Sequence, residues 1–439
     1  MQVLKFGGTS VGQPERMQAV AQLITRDEES KIIVLSALSG TTNALVGIGN
    51  SLATANKSEA QEKIEALRSH YDQFILELLT SEEKRDEAKK IINEHFEFLL
   101  ITLRISYNEA LQRDILAQGE LMSTKLFTLY LKEQNIKAAL LPALEFMRTN
   151  EEGEPDISFS ADKLSGLLNQ YQDNELFITQ GYICKNHKGE IDNLKRGGSD
   201  YTASLIGAAI RANEVQIWTD IDGMHNNDPR VVDKTFPIAE LSFDEAAELA
   251  YFGAKILHPA SIWPAQKYGI PVKLLNTMQP DAKGTVISKN TNSDDVKALA
   301  AKDGIIAVKI KSSRMLLAYG FLRKVFEIFE RFKTPIDMIT TSEVAVSVTI
   351  DDDTNIDRIQ RELESLGKVE IDRNQTIICV VGNFVAERRG IVNKIFESLT
   401  DIPIRMISYG GSRHNISLLT DEANKETALK KLNEHLFGL

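Results

Sequence analysis

The feature that most constrains this chain is a pattern repeated through its first two thirds: a short apolar run, often followed by a glycine-containing loop, and then a helical stretch. Strands that alternate with helices form a largely parallel sheet covered by helices on both faces. The sequence therefore predicts an α/β fold, a three-layer αβα domain over residues 1–290, whose end is indicated by the turn-forming residues 276–285. The apolar runs are residues 2–6, 31–36, 136–141, 175–183, 215–223 and 270–276.

A second pattern, two copies of one supersecondary unit, occupies the last third of the chain. Residues 305–372 show the order strand, helix, strand, strand, helix, strand, and the pattern restarts directly afterwards. The second copy stops before its fourth strand, and residues 295–302, ahead of the first copy, are the candidate to supply it. We therefore expect two interleaved βαββαβ modules of the ferredoxin-like kind, over residues 303–373 and 374–439.

Composition and charge limit the classes of partner. The 439 residues include 51 Lys and Arg against 62 Asp and Glu, a formal net charge of −11. Because an acidic surface repels phosphate backbones and anionic lipid, we expect neither nucleic acid nor a membrane as a partner. The two cysteines give no disulfide framework and no zinc-site spacing. The N-terminus lacks the apolar run of a secretory signal, so we expect a cytoplasmic protein.

The strongest local motif is Lys5-Phe6-Gly7-Gly8-Thr9-Ser10, directly after the first apolar run. Two glycines let backbone N–H groups approach an anion closely, and the start of a helix favours negative charge. A lysine at the end of the strand can reach the same phosphates as a point charge. The motif predicts a phosphate site, although an ordinary Gly-Gly turn after a strand has the same pattern.

A second glycine-rich motif, residues 194–200 (LKRGGSD), opens another helix. Arg196 can fork onto a carboxylate, and Asp200 can organise a metal or a lysine. The motif thus predicts a second anion site. The alternative is a glycine-rich turn in which Asp200 is the helix N-cap.

A third motif, residues 218–223 (WTDIDG), ends an apolar run and is followed by Asp228-Pro229-Arg230. The Asp-Gly and Asp-Pro pairs indicate a tight loop. At the carboxyl edge of an α/β sheet, such a loop is where a nucleotide lies. The chain has no G-x-x-x-x-G-K-[ST] motif, and its Gly47-Ile48-Gly49 stretch lacks the third glycine of a dinucleotide site. Neither a P-loop nor a nicotinamide site is therefore indicated.

Eight motifs, spread over the whole chain, occur in an order that resembles one known family. They are KFGGTS at the N-terminus, SALSGTTN (36–43), QGELMST (118–124), LKRGGSDYTA (194–203), WTDIDGM (218–224), DPR (228–230), FGAKILHP (252–259) and ITTSE (339–343). The pattern resembles the aspartate kinases of the amino-acid-kinase superfamily, whose regulatory modules are tandem ACT domains, and in particular the lysine-sensitive type. The resemblance implies transfer of the γ-phosphoryl group of ATP, with Mg²⁺, to the β-carboxylate of aspartate. We expect no fused homoserine dehydrogenase.

The resemblance also implies roles for individual residues. Lys5 and Asp200 match the catalytic pair, in which the lysine stabilises charge on the transferring phosphoryl group and Asp200 organises that lysine and the metal. Glu120 would receive the α-ammonium group of aspartate, and Arg196 would hold a carboxylate. The aspartate-binding positions are Thr42, Glu120, Tyr182, Arg196 and Ser199. The ATP-binding positions are Lys5, Gly7, Gly8, Thr219, Asp220, His225, Arg230, Lys255 and Ile256.

For two of these positions an ordinary structural role stays open. His225 also fits a loop histidine that binds nothing, and Lys255 fits a cation at a helix C-terminus. No histidine is required for the chemistry, because a carboxylate is already a nucleophile at neutral pH. Phosphoryl transfer then depends on positioning and on neutralisation of charge by Lys5 and Mg²⁺.

For the ACT-like modules the resemblance implies feedback inhibition, with lysine as the expected effector, through the first module. Acidic side chains there suit a cationic amino acid, and hydroxyls offer further hydrogen bonds. The alternative is that residues 341–343 are only the turn between two strands. We also expect a homodimer or a dimer of dimers, assembled through the ACT sheets. The effector-contacting positions are Met315, Ile336, Asp337, Thr341, Ser342 and Glu343.

Two rival functions remain at this point. The chain could be another amino-acid kinase, acting on glutamate or acetylglutamate, which an assay with each amino acid would separate. It could also be a catalytically silent amino-acid sensor that uses the ACT pair alone. The intact motifs around Lys5 and Asp200 argue against a sensor.

Overall fold

The structure, a computed structural model, describes residues 1–194, 197–253, 257–289, 295–315 and 319–439. Two compact units divide the chain. The first comprises Met1–Met224, Ala239–Phe243 and Leu257–Asn290. The second comprises His225–Ile238, Asp244–Ile256 and Thr291–Leu439. Among the described residues, no helix combines the length and the apolar character needed to span a membrane.

Strands and helices follow one another along the chain much as the apolar runs predict. The strands are β1 (Gln2–Phe6), β2 (Lys31–Leu35), β3 (Ala138–Leu141), β4 (Leu176–Gln180), β5 (Ile183–Lys185), β6 (Ile191–Asn193), β7 (Val215–Thr219), β8 (Glu240–Ser242), β9 (Val272–Asn276), β10 (Thr285–Ser288), β11 (Val296–Lys311), β12 (Ile339–Thr341), β13 (Ala345–Ile350), β14 (Lys368–Gly382), β15 (Met406–Ser408) and β16 (Asn415–Asp421). The helices are α1 (Gly8–Val11), α2 (Pro14–Ile24), α3 (Thr41–Ala53), α4 (Lys57–Leu78), α5 (Glu82–Thr102), α6 (Glu109–Glu133), α7 (Ala143–Phe146), α8 (Ile157–Gln170), α9 (Gly198–Ile210), α10 (Phe243–Phe252), α11 (Pro259–Tyr268), α12 (Phe321–Arg331), α13 (Ile356–Glu364), α14 (Ile391–Ser398) and α15 (Lys425–Phe437).

The first unit is built on an eight-stranded sheet in the order β3-β4-β2-β1-β7-β9-β10-β8. Its strands pair in parallel, except that β10 runs antiparallel to β9. Side chains alternate between the faces of a strand. In β1, Leu4 and Phe6 enter the core that α2, α4, α5 and α6 cover, whereas Lys5 reaches Asp200 of α9 on the other face. The predicted three-layer α/β architecture is thus confirmed.

The second unit contains an antiparallel six-stranded sheet in the order β12-β13-β11-β14-β16-β15. Residues 296–302 of β11 pair with the second half of β14, and residues 307–311 pair with its first half. Each long strand therefore serves both modules, and the expected interleaving is present. For both β11 and β14 the sequence predicts two shorter strands, but each is one continuous strand in the structure. Register shifts beside Gly304 bend the paired strands without ending them.

Each half of this sheet has its own hydrophobic core. Val308, Val346 and Val348 pack with α12 and α13, whereas Ile378 and Ile416 pack with α14 and α15. Residues 225–238 and 244–256 belong to this second unit, although the sequence analysis assigns them to the first domain. The core of the second half includes Val232, which explains why residues 225–238 group there.

Candidate active site

The candidate residues of the first unit gather where neighbouring parallel strands end. Strands β4, β2, β1 and β7 are adjacent in the sheet. Their carboxyl ends lead into Gly181-Tyr182, Ser36–Gly40, Gly7-Gly8 and Thr219-Asp220, in that order. In α/β sheets, ligands bind at this edge. The sheet topology therefore brings the first and third motifs to one edge, and the second motif reaches that edge through the contact of Asp200 with Lys5.

A lysine–aspartate pair lies at the centre of this edge. Lys5 Nζ is 2.7 Å from Asp200 Oδ1, and the two side chains are only 12% and 16% exposed. The N-cap of α9 is Gly197, in a left-handed conformation, so Asp200 stands within the first turn and does not cap the helix. The pair keeps a cationic ammonium group at the position where a phosphoryl group can approach it.

Glycines allow the loops around this pair to pack closely. A Cβ atom on Gly7 would lie 3.4 Å from Lys5 Nζ, and one on Gly8 would lie 3.0 Å from the carbonyl oxygen of Ala37. A Cβ atom on Gly181 would clash with Ser199 Oγ at 2.2 Å. A side chain at position 181 would therefore push the loop after β4 away from α9, one at position 8 would press on the loop after β2, and one at position 7 would only touch the end of Lys5.

Glu120 is a buried carboxylate with one oxygen unused by the protein. The side chain, on α6, is 4% exposed, and its Oε1 accepts a hydrogen bond of 3.2 Å from the backbone N–H of Ala37. Its Oε2 is buried and has no hydrogen-bond partner among the residues that the structure describes. Burial raises the pKa of Glu120 to about 7. An ammonium group bound at Oε2 would satisfy this oxygen and favour its charged form.

Three other predicted substrate residues lie in the described part of the chain, in different settings. Ser199 Oγ accepts a hydrogen bond of 2.9 Å from Ser36 Oγ, which joins the loop after β2 to the start of α9. Tyr182 has a φ of 65°, and burial, together with the charges of Glu120 and Asp192, raises its pKa to about 12. Thr42 is exposed in the first turn of α3.

The predicted nucleotide residues divide between the two units. Thr219 ends β7, and its hydroxyl donates to Asp220 Oδ1 at 3.1 Å. His225 and Arg230 belong to the second unit. There, His225 Nδ1 lies 3.0 Å from Thr235 Oγ1, and the largely exposed Arg230 forks onto Asp228 at 2.8 and 2.9 Å. Arg196, Lys255 and Ile256 lie outside the described residues.

Comparison with known proteins identifies the family. Residues 1–276 match the amino acid kinase family, and residues 378–436 match an ACT domain family. The lysine-sensitive aspartokinase 3 of Escherichia coli (strain K12) is 36% identical over 447 residues, which cover 99% of both chains. This chain belongs to the aspartokinases.

Solved aspartokinase structures agree with this assignment across the whole chain. The E. coli aspartokinase III complex with aspartate and ADP, in its R-state, superposes with a TM-score of 0.84 at 36% identity and full coverage of both chains. The complex of the same enzyme with lysine and aspartate, in its T-state, gives a TM-score of 0.83 and covers 100% of this chain and 99% of the other.

Two residues of this aspartokinase site were not predicted from the sequence. The backbone N–H of Ala37 binds Glu120, and the hydroxyl of Ser36 binds Ser199. Both lie in the quoted motif SALSGTTN, from which only Thr42 was selected. A glycine and two threonines directly after a strand indicate a functional loop, but they do not indicate which of its groups face the ligand.

The predicted effector residues of this aspartokinase all lie in the described part of the chain. Thr341 and Ser342 line a groove of about 500 Å³ together with Ser312. Asp337 lines a separate cavity of about 270 Å³. The half-buried Met315 ends a short 3-10 helix, Ile336 is half-buried just before Asp337, and Glu343 is exposed in the turn before β13.

Proposed function

We propose that this aspartokinase transfers the γ-phosphoryl group of ATP to the β-carboxylate of L-aspartate to give 4-phospho-L-aspartate. This is the first step of lysine, threonine and methionine biosynthesis. The observation that carries the proposal is the Lys5–Asp200 pair at the same sheet edge as a buried carboxylate with an open oxygen. The E. coli relative bound to aspartate and ADP has the same fold over its full length.

Each group at the sheet edge has a distinct task in this reaction. The β-carboxylate of aspartate is the nucleophile and needs no general base. Lys5 neutralises charge that develops on the phosphoryl group, and Asp200 keeps its ammonium group in place. Glu120 Oε2 accepts the α-ammonium group of aspartate, which orients the β-carboxylate toward the phosphate. Because the pairing is buried, the geometry is fixed before the reaction begins.

The remaining site residues complete the two ligand positions. Arg196 holds a carboxylate of aspartate, and Thr42, Tyr182 and Ser199 line that position. The nucleotide lies across the end of β7 and against the glycines after β1. Its contacts are Lys5, Gly7, Gly8, Thr219, Asp220, His225, Arg230, Lys255 and Ile256.

Mg²⁺ enters with the nucleotide. Among the described residues, no group of three or more His, Cys, Asp and Glu side chains could hold a metal ion. Mg²⁺ is usually held by one or two carboxylates together with substrate phosphates and water. Asp200 and Asp220 are the carboxylates at this edge that would hold it. The ion supplies charge neutralisation on the phosphates.

The second unit regulates the first by feedback, with lysine as the effector. The interleaved ACT sheet and the acidic Asp337 support this, and the E. coli relative has been solved with lysine in its T-state. We propose a homodimer or a dimer of dimers in the cytoplasm. The proposed domain limits are residues 1–290 for catalysis, with ACT modules over 303–373 and 374–439 that share residues 295–302.

The test is a coupled assay of ADP release with aspartate, glutamate or acetylglutamate as acceptor. We expect turnover with aspartate, and hydroxylamine should trap the acyl phosphate as a hydroxamate. Equal turnover with glutamate would favour the rival amino-acid kinase, and no turnover with any acceptor would favour a silent sensor. Titration with lysine, threonine and methionine then identifies the effector.

A further inference from the structure

A buried pair of hydroxyl groups holds the end of the loop that follows β2. Tyr71, on α4, and Thr41, at the start of α3, are 0% and 1% exposed, and their hydroxyl oxygens lie 3.2 Å apart. Helix α4 belongs to none of the eight motifs that indicate the family. Thr41 comes four residues after Ala37, whose backbone N–H binds Glu120. Tyr71 therefore contacts the loop that supplies the donor to the proposed substrate carboxylate.

Helix α6 holds the start of the same loop. Ser123 Oγ donates a hydrogen bond of 2.8 Å to the carbonyl oxygen of Ser36, and Glu120 Oε1 accepts one from the N–H of Ala37. A Cβ atom on Gly119 would lie only 2.8 Å from the Cβ atom of Ala37, so a larger residue would separate α6 from the loop. The loop is thus fixed by α6 at its start and by the hydroxyl pair at its end.

The hydroxyl of Tyr71 lies within electrostatic reach of Glu120 but does not occupy its open oxygen. Burial raises the pKa of Tyr71, and the negative charge of Glu120 acts in the same direction. The hydroxyl therefore stays protonated at neutral pH and can keep its hydrogen bond with Thr41. Glu120 Oε2 has no hydrogen-bond partner among the described residues, Tyr71 included. That oxygen is left to the substrate.

The ring of Tyr71, unlike its hydroxyl, has an ordinary role in the hydrophobic core. It packs edge-on against Phe96, with the ring centroids 5.8 Å apart, and both side chains belong to the core of the first unit. A phenylalanine at position 71 would keep this packing. Removal of the hydroxyl alone therefore separates an effect on the loop from an effect on the core.

We propose that Tyr71 is a positioning residue for aspartate. Its hydroxyl holds Thr41, so that the N–H of Ala37 stays on Oε1 of Glu120 and Oε2 stays open to the α-ammonium group of aspartate. The inference rests on the proposed function, and it adds a residue of α4 to the aspartate site. Tyr71 acts through the loop and not on the reacting atoms.

The test measures aspartate affinity and turnover separately in variants of the full-length chain. Tyr71→Phe should raise the Kd for aspartate in calorimetry, and the KM in the coupled assay, about five-fold, as expected when one neutral hydrogen bond is lost. The KM for ATP and kcat should change less, because the substitution acts on the position of the α-ammonium group. Thr41→Val should have the same effect, and the double variant no larger one, because both hydroxyls belong to one hydrogen bond.

A second comparison shows whether the effect passes through Glu120. Glu120→Ala leaves no carboxylate to position, so adding Tyr71→Phe to it should not raise the KM for aspartate further. The matched control is Tyr130→Phe, which removes another buried tyrosine hydroxyl from the same core. Tyr130 lies ten residues beyond Glu120 on α6, about 15 Å along the helix, so this variant should keep the wild-type Kd for aspartate.

Four outcomes would overturn the inference. They are a wild-type Kd for aspartate in both Tyr71→Phe and Thr41→Val, whatever their melting temperatures; a rise that persists in Glu120→Ala; an equal rise in Tyr130→Phe; and a wild-type chain that binds no aspartate at millimolar concentration. If Tyr71→Phe fails to fold by circular dichroism, Thr41→Val decides, because it removes the same hydrogen bond. Loss of the proposed function has a different signature, namely no aspartate-dependent turnover, and calorimetry would still measure aspartate binding.

Discussion

Glu120 and Asp337 are two buried carboxylates with the same incomplete hydrogen bonding in different units of the molecule. Each has one oxygen bound by a protein donor and a second that is buried without a donor among the described residues. They differ in the first partner. The neutral backbone N–H of Ala37 holds Glu120, whereas the ammonium group of Lys302 and the hydroxyl of Tyr251 hold Asp337.

This difference leads to different expectations for the proposed substrate role of Glu120 and the proposed regulatory role of Asp337. The neutral partner of Glu120 does not offset burial, so its pKa rises to about 7 and the substrate's ammonium group is needed to favour the charged carboxylate. Asp337 already has a cationic partner that another carboxylate shares. We expect binding at Glu120 to depend on pH near neutrality, and binding at Asp337 to depend on Lys302.

The largest effect on activity is expected for substitution of Lys5, the proposed catalytic lysine, and not for substitution of either carboxylate. Lys5→Ala should lower kcat by about 10²–10³, because one preorganised charge at the developing negative charge is removed. The control is Lys273→Ala, which removes another strand lysine of the first unit, paired with Glu214 at 2.6 Å. Steady-state kinetics at saturating substrate measure both. A Lys5→Ala enzyme within a few-fold of wild type would reject the catalytic role.

The second prediction compares substitutions of the two carboxylates, Glu120 and Asp337. Glu120→Ala should raise the KM for aspartate about 10–100-fold and leave the KM for ATP nearly unchanged, since a charged hydrogen bond to the substrate is lost. Asp337→Asn should leave the KM for aspartate unchanged and raise the lysine concentration needed for inhibition. Equal losses for aspartate and ATP in Glu120→Ala would instead indicate a structural role for Glu120 in α6.

The pH dependence of substrate binding should follow Glu120. Its pKa is raised to about 7, so the free enzyme loses the negative charge as the pH falls through 7. Well below pH 7, the KM for aspartate should rise about ten-fold for each unit by which the pH falls. The reason is that Glu120 must release one proton when aspartate binds. The KM for ATP, measured at each pH, is the control. Glu120→Gln should remove this pH dependence, and a persistent dependence would assign it to another group.

The smallest effect is expected at the groove of the first ACT-like module. Thr341→Ile should weaken lysine inhibition only about five-fold, at the low end of allosteric coupling, and retain kcat. The reason is that Thr341 lines the groove of about 500 Å³ rather than the cavity of Asp337. Inhibition assays on Thr341→Ile and Asp337→Asn in parallel provide the comparison. A larger effect of Thr341→Ile would place the effector in the groove.

Side-chain motifs predicted part of this site, and the backbone supplied the rest. The motifs drew attention to Lys5 and Asp200 separately, and the family resemblance implied that the two side chains act together, as their separation of 2.7 Å now shows. The donor to Glu120 could not be predicted in this way, since it is a backbone N–H that any residue except proline would provide at position 37.

The hydrogen-bond partners of Asp337 could not be predicted from the sequence either. Asp337 was selected from the sequence, but Tyr251 and Lys302 lie on α10 and β11, far from it along the chain. No local pattern relates positions that are joined only through tertiary packing. The strands β11 and β14 were likewise predicted in pieces, because a bend beside Gly304 has the same sequence pattern as a turn that ends a strand.

The two long strands also determine the order in which the second unit can form. Val296 pairs with Gly382, on the far side of the entire first module. Residues 296–302 therefore emerge early during synthesis and must wait for β14 before their hydrogen bonds can form. Pairing over such a sequence distance makes closure slow. A chain divided near residue 303 would leave one edge of β14 open to pairing with other chains.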